Sequence, residues 1–371
     1  MVRIVHYIGL LEFGGSQSFV MEIYRKIDRT KIQFDFVVFP NQKKDFYNEI
    51  IELGGRVFES PQYNGRNHFK FIKWWNEFFL QHTEYKILHC HVRSVAALCI
   101  AMAHKRGCYT IAHSHSTSNG SGFLAVIKDI MQYPVRYQAD YLFACSQMAG
   151  EWMFGKQVFG KNYEIISNAI DAERFDFDES IRRNVRNELG LRDKFVIGHV
   201  GRITKPKNHI FLIDLLTEIR KNRSDIVLLL VGDGELRTYI EAYANEKNVI
   251  DNIIFLGSKN NTQDYYQAMD VFVFPSLWEG LGIVAIEAQA SGLHCVVSER
   301  IPDEIDLGIG LVSKVALSEN KSKWIDKILN IDISQRIGRV AEVKKAGYDI
   351  IENASKMQNF YLQIDRKMRE E

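Results

Sequence analysis

The stretch VFVFPSLWEGLGIVAIEAQASG (residues 271–292) reads as a buried strand, a Gly-Leu-Gly turn and a helix. Its opening apolar run is continuous rather than alternating, the pattern of a strand covered on both faces of a parallel sheet. Gly280 and Gly282 permit the sharp turn, and the N–H groups of Leu281, Gly282 and Ile283 at the helix start would face an anion. Two carboxylates flank those donors, Glu279 just before the turn and Glu287 one to two turns into the helix. A ligand with hydroxyls at both ends and phosphate in the middle suits this layout, and nucleotide sugars are built that way. A carboxylate so close to phosphate-binding groups opposes anion binding by itself, which argues against a merely structural motif.

The same strand, loop, helix cycle runs through the chain. RIVHYIG (3–9), FDFVVFP (34–40), KILHCH (86–91), TIAHSH (110–115), YLFACS (141–146) and EIISN (164–168) are strand-like. A charged, weakly apolar segment follows Asn168, and a second series begins: FVIGHVG (195–201), IVLLLVG (226–232), NIIFLG (252–257), VFVFPS (271–276) and HCVVS (294–298). This alternation predicts an α/β protein of two doubly wound, Rossmann-like domains facing a central cleft, because ligands bind at the carboxyl ends of parallel strands. The expected divisions are residues 1–170, 171–345 and a C-terminal helical stretch, 346–371, returning toward the first domain.

Composition narrows the function. The 371 residues carry 47 Lys+Arg against 46 Asp+Glu, so no global field selects nucleic acid or an acidic partner. Arg3 and His6 interrupt the first apolar run, which reads as a strand rather than a signal segment. No run approaches the roughly 18 to 20 apolar residues that span a bilayer. Five cysteines without a C-x-x-C pair disfavour disulfides and structural zinc, and a reducing cytoplasm is expected.

Other constellations carry chemistry. Gly14 and Gly15 precede a helix from Ser16 and let backbone approach a ligand; a plain tight turn would use the same residues. Arg202, Lys205 and Lys207 at the end of FVIGHVG concentrate positive charge where a diphosphate would sit, although a solvated basic loop has the same composition. His89/His91 and His113/His115 follow from strand alternation, and no nearby carboxylate completes a metal set, so no metal is expected. His113 reads either as a cleft-facing hydrogen-bond or acid/base group or as a satisfied loop histidine. The aromatic stretch from Phe69 to Leu80 suits either the buried face of a core helix or an interfacial membrane helix.

Taken together, FGGSQSFV (13–20), TIAHSHS (110–116), ISNAID (166–171), GRITKPKN (201–208), VGDGELR (231–237) and EGLGIVAIEAQASG (279–292) make the chain resemble the GT-B-type retaining glycosyltransferases of family four, particularly those of bacterial capsule and exopolysaccharide synthesis. The resemblance covers nearly the whole chain. It implies that Arg202 and Lys207 bind the donor diphosphate, with the backbone of Gly280, Leu281, Gly282, Ile283 and Val284 helping to hold it. It further implies that Glu287 binds the nucleotide ribose, that Glu279 and His113 act on the transferred sugar, and that Gly14 and Gly15 let the first domain close on the phosphates. The tandem His-Ser-His leaves His115 as the alternative to His113. Ala169 stands where the family usually has glycine, which loosens the case for Asn168.

The expectation is therefore a cytoplasmic, metal-independent, retaining hexosyl- or N-acetylhexosaminyltransferase. It uses a UDP-sugar as co-substrate, no cofactor, and a lipid-linked or saccharide acceptor. Contact with the inner leaflet, through Phe69–Leu80 or nearby basic loops, is part of that expectation. The alternative is a non-catalytic GT-B subunit stabilising another transferase, but such subunits usually lose the cations or paired glutamates retained here.

Overall fold

The computed structural model describes residues 1–12, 14–41, 45–120, 122–158, 162–333 and 336–370. The chain forms two compact units, Met1–Ile170 with Ile350–Glu371, and Asp171–Asp349. The first unit contains seven strands: β1 (Val2–Gly9), β2 (Ile32–Val38), β3 (Val57–Glu59), β4 (Ile87–Cys90), β5 (Tyr109–Ser114), β6 (Tyr141–Ala144) and β7 (Tyr163–Ile165). They lie side by side in the order β3-β2-β1-β4-β5-β6-β7, all in parallel. Phe34, Phe36 and Tyr24 fill one face, and Tyr7, Phe71, Trp75 and Phe78 the other.

The second unit repeats the plan with six strands: β8 (Phe195–Val200), β9 (Ile226–Val231), β10 (Ile253–Phe255), β11 (Val271–Phe274), β12 (Cys295–Ser298) and β13 (Val312–Val315). Their order is β10-β9-β8-β11-β12-β13, again all parallel. Both sheets are thus doubly wound. In each, the order reverses beside the first strand, between β1 and β4 in one unit and between β8 and β11 in the other. Loops leaving neighbouring strands diverge there and open a crevice at the carboxyl ends.

The polar residues that break the first strand have partners. Arg3 forks onto the buried Asp35 through Nε and Nη2 at 2.6 and 2.5 Å, and the Tyr85 hydroxyl donates to the same carboxylate at 2.7 Å. His6 meets His91 across the sheet.

Two helices decide which apolar side chains reach the surface. In the aromatic helix His68–Gln81, Phe71, Trp75, Phe78 and Phe79 are buried, so the core reading holds for these rings, while Phe69 and Leu80 at the two ends are exposed. A broader exposed apolar face lies on Phe123–Gln132 and the short helix Val135–Gln138 after it, where Phe123, Leu124, Ile127, Ile130, Tyr133 and Tyr137 face solvent while Ala125 and Gln132 point inward. The C-terminal helix starts at Ile350, past the expected division at 346, and Val340–Lys345 is a separate helix of the second unit. No helix among the described residues is long and apolar enough to cross a membrane.

Candidate functional site

In the second unit the residues singled out by sequence gather where β8 and β11 part. β8 runs into Gly201 and Arg202, then a short 3-10 turn at Lys205–Lys207, and Asn208 in a left-handed conformation leads into the helix His209–Arg220. β11 runs into Pro275 and the loop carrying Glu279. Two bonds tie these loops together: Leu277 N–H donates to the Pro206 carbonyl at 2.8 Å, and the Asn208 amide donates to Pro275 at 3.1 Å.

Across that junction Lys207 Nζ donates to Glu279 Oε1 at 2.7 Å, with the two side chains only 19% and 13% exposed. The ammonium also sits 4.8 Å from the centroid of Phe274. The pairing explains how a carboxylate is tolerated next to a phosphate-binding turn, because its charge is already matched by a cation 72 positions earlier. Arg202 stays on the exposed side of the loop.

Gly282 caps the helix Ile283–Ala290 with φ +94°, a conformation that side-chain-bearing residues rarely adopt. A Cβ there would lie 3.0 Å from the Phe274 ring, so the turn needs glycine on both counts. Leu281 is buried and anchors the turn. Glu287 occupies the following turn of the helix, where the Tyr266 hydroxyl donates to its Oε2 at 2.7 Å and also reaches the Val284 carbonyl at 3.2 Å. Burial above all, and then the Glu287 charge, push the Tyr266 pKa well up, so this hydroxyl stays a donor. Tyr266 and the Lys207–Glu279 pairing escaped the sequence reading, because both depend on partners brought from other strands.

The VGDG element has a structural task. Gly232 lies against the Gly201 backbone so closely that a Cβ would meet the Gly201 oxygen at 2.1 Å, and Ile203 N–H bonds the Asp233 carbonyl at 2.9 Å. The loop bearing Arg202 is thereby clamped from the neighbouring strand β9.

In the first unit, His113 is on β5 and fully buried, while His115 lies just past the strand end and is partly exposed. Phe19, on the helix Gly15–Lys26, packs against both rings at 5.4 and 5.7 Å, so the Gly14–Gly15 turn and the His-Ser-His motif share one end of this sheet. Neither glycine is demanded by the fold. Among the described residues, a Cβ on the extended Gly14 would press on the tip of Gln17 and lie 3.9 Å from the Glu12 carbonyl oxygen, and Gly15 has nothing within 4 Å of where a Cβ would be. Phe13 of that motif lies outside the described residues. Burial, reinforced by neighbouring imidazoles, holds His113 well below the ordinary histidine range, so the ring is neutral.

Comparison with known proteins gives these sites a family. Residues 13–174 match the model described as Glycosyltransferase Family 4, and residues 181–339 match Glycosyl transferases group 1. The EpsF protein of Bacillus subtilis (strain 168), assigned to the glycosyltransferases, is 33% identical over 370 residues, covering 97% of this chain and 96% of its own. The chain belongs to the family-four glycosyltransferases. A second relative, the UDP-Gal:alpha-D-GlcNAc-diphosphoundecaprenol alpha-1,3-galactosyltransferase of Escherichia coli, is 30% identical over 219 residues, 54% of either chain. Among solved structures, HepE of Anabaena in complex with UDP-glucose matches with a TM-score of 0.80, covering 98% of this chain and 100% of that one at 16% identity. WaaG, a glycosyltransferase of lipopolysaccharide biosynthesis, matches at a TM-score of 0.69, 15% identity, and 96% and 95% coverage. At such identities the likeness speaks for the fold, and the fold is GT-B. The carriers of the resemblance therefore belong to a glycosyltransferase, and the loops joined at Lys207 and Glu279 lie within its group 1 region.

Proposed function

We propose that this glycosyltransferase moves a hexosyl or N-acetylhexosaminyl group from a UDP-sugar to a lipid-linked or saccharide acceptor during synthesis of a bacterial surface polysaccharide, with retention at the anomeric carbon and without a metal at the diphosphate. The observation that carries this is the Lys207–Glu279 pair set beside the N-terminus of Ile283–Ala290, with Glu287 held by Tyr266 on the same helix. Arg202 and the N–H groups from Gly280 to Val284 supply fixed positive potential for a departing diphosphate, to which Lys207 adds as the phosphate competes with Glu279 for its ammonium. Glu287 accepts from the ribose, and Glu279 positions the sugar. The donor reading is supported by the UDP-galactose in the Escherichia coli relative's name and the UDP-glucose bound to HepE. The lipid-linked acceptor is supported by the undecaprenol diphosphate in the former.

In this reading the leaving phosphate assists front-face attack and takes the acceptor hydroxyl proton as the sugar–phosphate C–O bond breaks and the new glycosidic C–O bond forms. Gly14 and Gly15 leave room for phosphate at the start of their helix. Incubation with a panel of UDP-sugars and acceptor extract tests this: donor-dependent UDP release and an axial or equatorial product linkage matching the donor are expected. No release with any donor, or an inverted anomeric centre, overturns it.

A lipid-linked acceptor calls for a membrane surface, and we place that contact on the outward apolar face of residues 123–137 rather than on the buried aromatic helix. Between Arg93 and Gln138 five cations (Arg93, Lys105, Arg106, Lys128, Arg136) accompany one carboxylate (Asp129), a bias suited to an anionic leaflet. The cytoplasmic side of the cell membrane is the location this reading requires. Flotation with anionic vesicles should carry the protein, and Ile130→Asp should release it; no flotation of the unaltered chain overturns the contact.

A further inference from the structure

Five histidines converge at the reversal of the first sheet. His6 on β1 is in register with His89 on β4, His91 follows two residues on, and β5 adds His113 and His115. The rings of His89 and His91 are 4.2 Å apart, those of His113 and His115 4.0 Å. His6 and His89 are 1% exposed, His91 7% and His113 0%. A satisfied core histidine bonds both ring nitrogens, yet among the described residues His6 Nε2, His89 Nε2, His115 Nδ1 and both nitrogens of His113 are buried without a hydrogen-bond partner. Each such group costs about 1–3 kcal/mol, and an ion taken up at His89 Nε2 would relieve one of them.

We propose that His6, His89 and His91 bind one late first-row transition metal ion, with zinc as the representative. One ring nitrogen from each lies within 4.8 Å of the other two. The hydrogen bonds at the far side of two rings fit this assignment. His89 Nδ1 is 2.6 Å from the Tyr361 hydroxyl, and an Nδ1–H donated there leaves the Nε2 lone pair for the ion. His91 Nδ1 is 2.9 Å from His115 Nε2, and an Nδ1–H donated there likewise leaves Nε2. That Nε2 is 3.0 Å from His6 Nδ1, a little under the roughly 3.3 Å between two tetrahedral nitrogen ligands with Zn–N of about 2.0–2.1 Å. Holding the outer ring nitrogen of a ligating histidine is how metal sites fix ring orientation.

Binding needs only a change of tautomer at His6, from Nδ1–H toward His91 to Nε2–H, and releases no proton. Burial keeps the rings uncharged near neutrality, with His6 lowered to about 3 and His89 and His91 well below the ordinary value. An all-imidazole set suits zinc, copper or nickel and not magnesium or calcium. His91 also belongs to a second triad with His113 and His115. The inner triad is preferred because Tyr361 and His115 orient two of its members, whereas His113 has neither nitrogen held. The partly exposed His115 gives the route inward.

The test uses the full-length protein, stripped with a chelator, dialysed, and titrated with zinc by calorimetry and with cobalt by visible absorption. One equivalent per chain, tetrahedral cobalt bands and a zinc-dependent rise in melting temperature are expected. His6→Gln and His89→Gln should abolish uptake. Tyr361→Phe, which keeps the ring, should weaken binding about ten- to a hundredfold. X-ray absorption of the zinc-loaded wild-type protein covers histidine variants that fail to fold: at least three imidazole nitrogens at about 2.0–2.1 Å support the site. The proposal is overturned if folded, stripped protein takes up neither ion, if Tyr361→Phe leaves affinity unchanged, or if oxygen or sulfur dominates the zinc shell.

Discussion

At the scale of single residues, the two glutamates of the 271–292 stretch have different surroundings. Glu279 is an ion-pair partner of Lys207, and Glu287 is a hydrogen-bond acceptor of Tyr266. Glu279→Ala should therefore lower turnover while nucleotide affinity, read by calorimetry with UDP, changes little; lost affinity with preserved turnover would reverse the assignment. Tyr266→Phe removes a hydrogen bond to a charged group, worth about 1.5–3 kcal/mol. If that bond orients Glu287 for the ribose, UDP affinity should fall by at least about tenfold, and an unchanged Kd would show that Tyr266 only braces the helix. Sequence placed both carboxylates near phosphate but not their partners, since a contact spanning 72 positions leaves no local periodicity.

At the scale of elements, two glycine-bearing helix starts look alike in sequence and differ in cause. Gly282→Ala forces a side chain into a left-handed conformation against Phe274, which should cost about 1–3 kcal/mol by urea unfolding. Gly15→Ala meets open space and should leave stability unchanged or raise it by up to about 1 kcal/mol. A drop in turnover with that variant would then report a ligand rather than the fold. The C-terminal helix is bound by a stripe of Ile350, Ala354, Met357, Tyr361 and Ile364 buried on the first unit. Large apolar side chains of this kind contribute about 1.5–3 kcal/mol each. Ending the chain after Asp349 should lower the melting temperature sharply or abolish soluble expression; an unaltered melt would mean the helix is dispensable. Helix periodicity revealed that stretch as helical, and its polar average hid the stripe.

At the scale of the whole molecule, buried histidines make stability depend on pH. In the second unit, burial first and then Lys207 lower His209 to about 4, and burial with His209 and the nearby lysine takes His199 further down. Above pH 6.5 these rings are neutral in folded and unfolded chains alike, so they add no pH dependence. As pH falls below 6.5 the unfolded chain takes up protons that the folded one refuses until about pH 4 for His209. Stability therefore drops across that window, by up to about 1.4 kcal/mol per pH unit for each ring. The urea midpoint should fall between pH 6.5 and 5, and His209→Gln should flatten the slope; equal slopes would place the uptake elsewhere.

Sequence by itself determined the alternation of strands and helices, the doubly wound α/β class and the two glycine-rich helix starts, because continuous apolar runs and turn residues are local signals. Its motifs also carried the family. Only the tertiary structure decided which charges pair, which aromatic helix is buried, which apolar face is exposed, and that His6 joins four other histidines. Those outcomes depend on strand order and register, and a parallel sheet assembles its neighbours from distant parts of the chain. Two histidine pairs and one lone histidine, each explained by strand alternation, become a single buried cluster only when β1, β4 and β5 lie side by side.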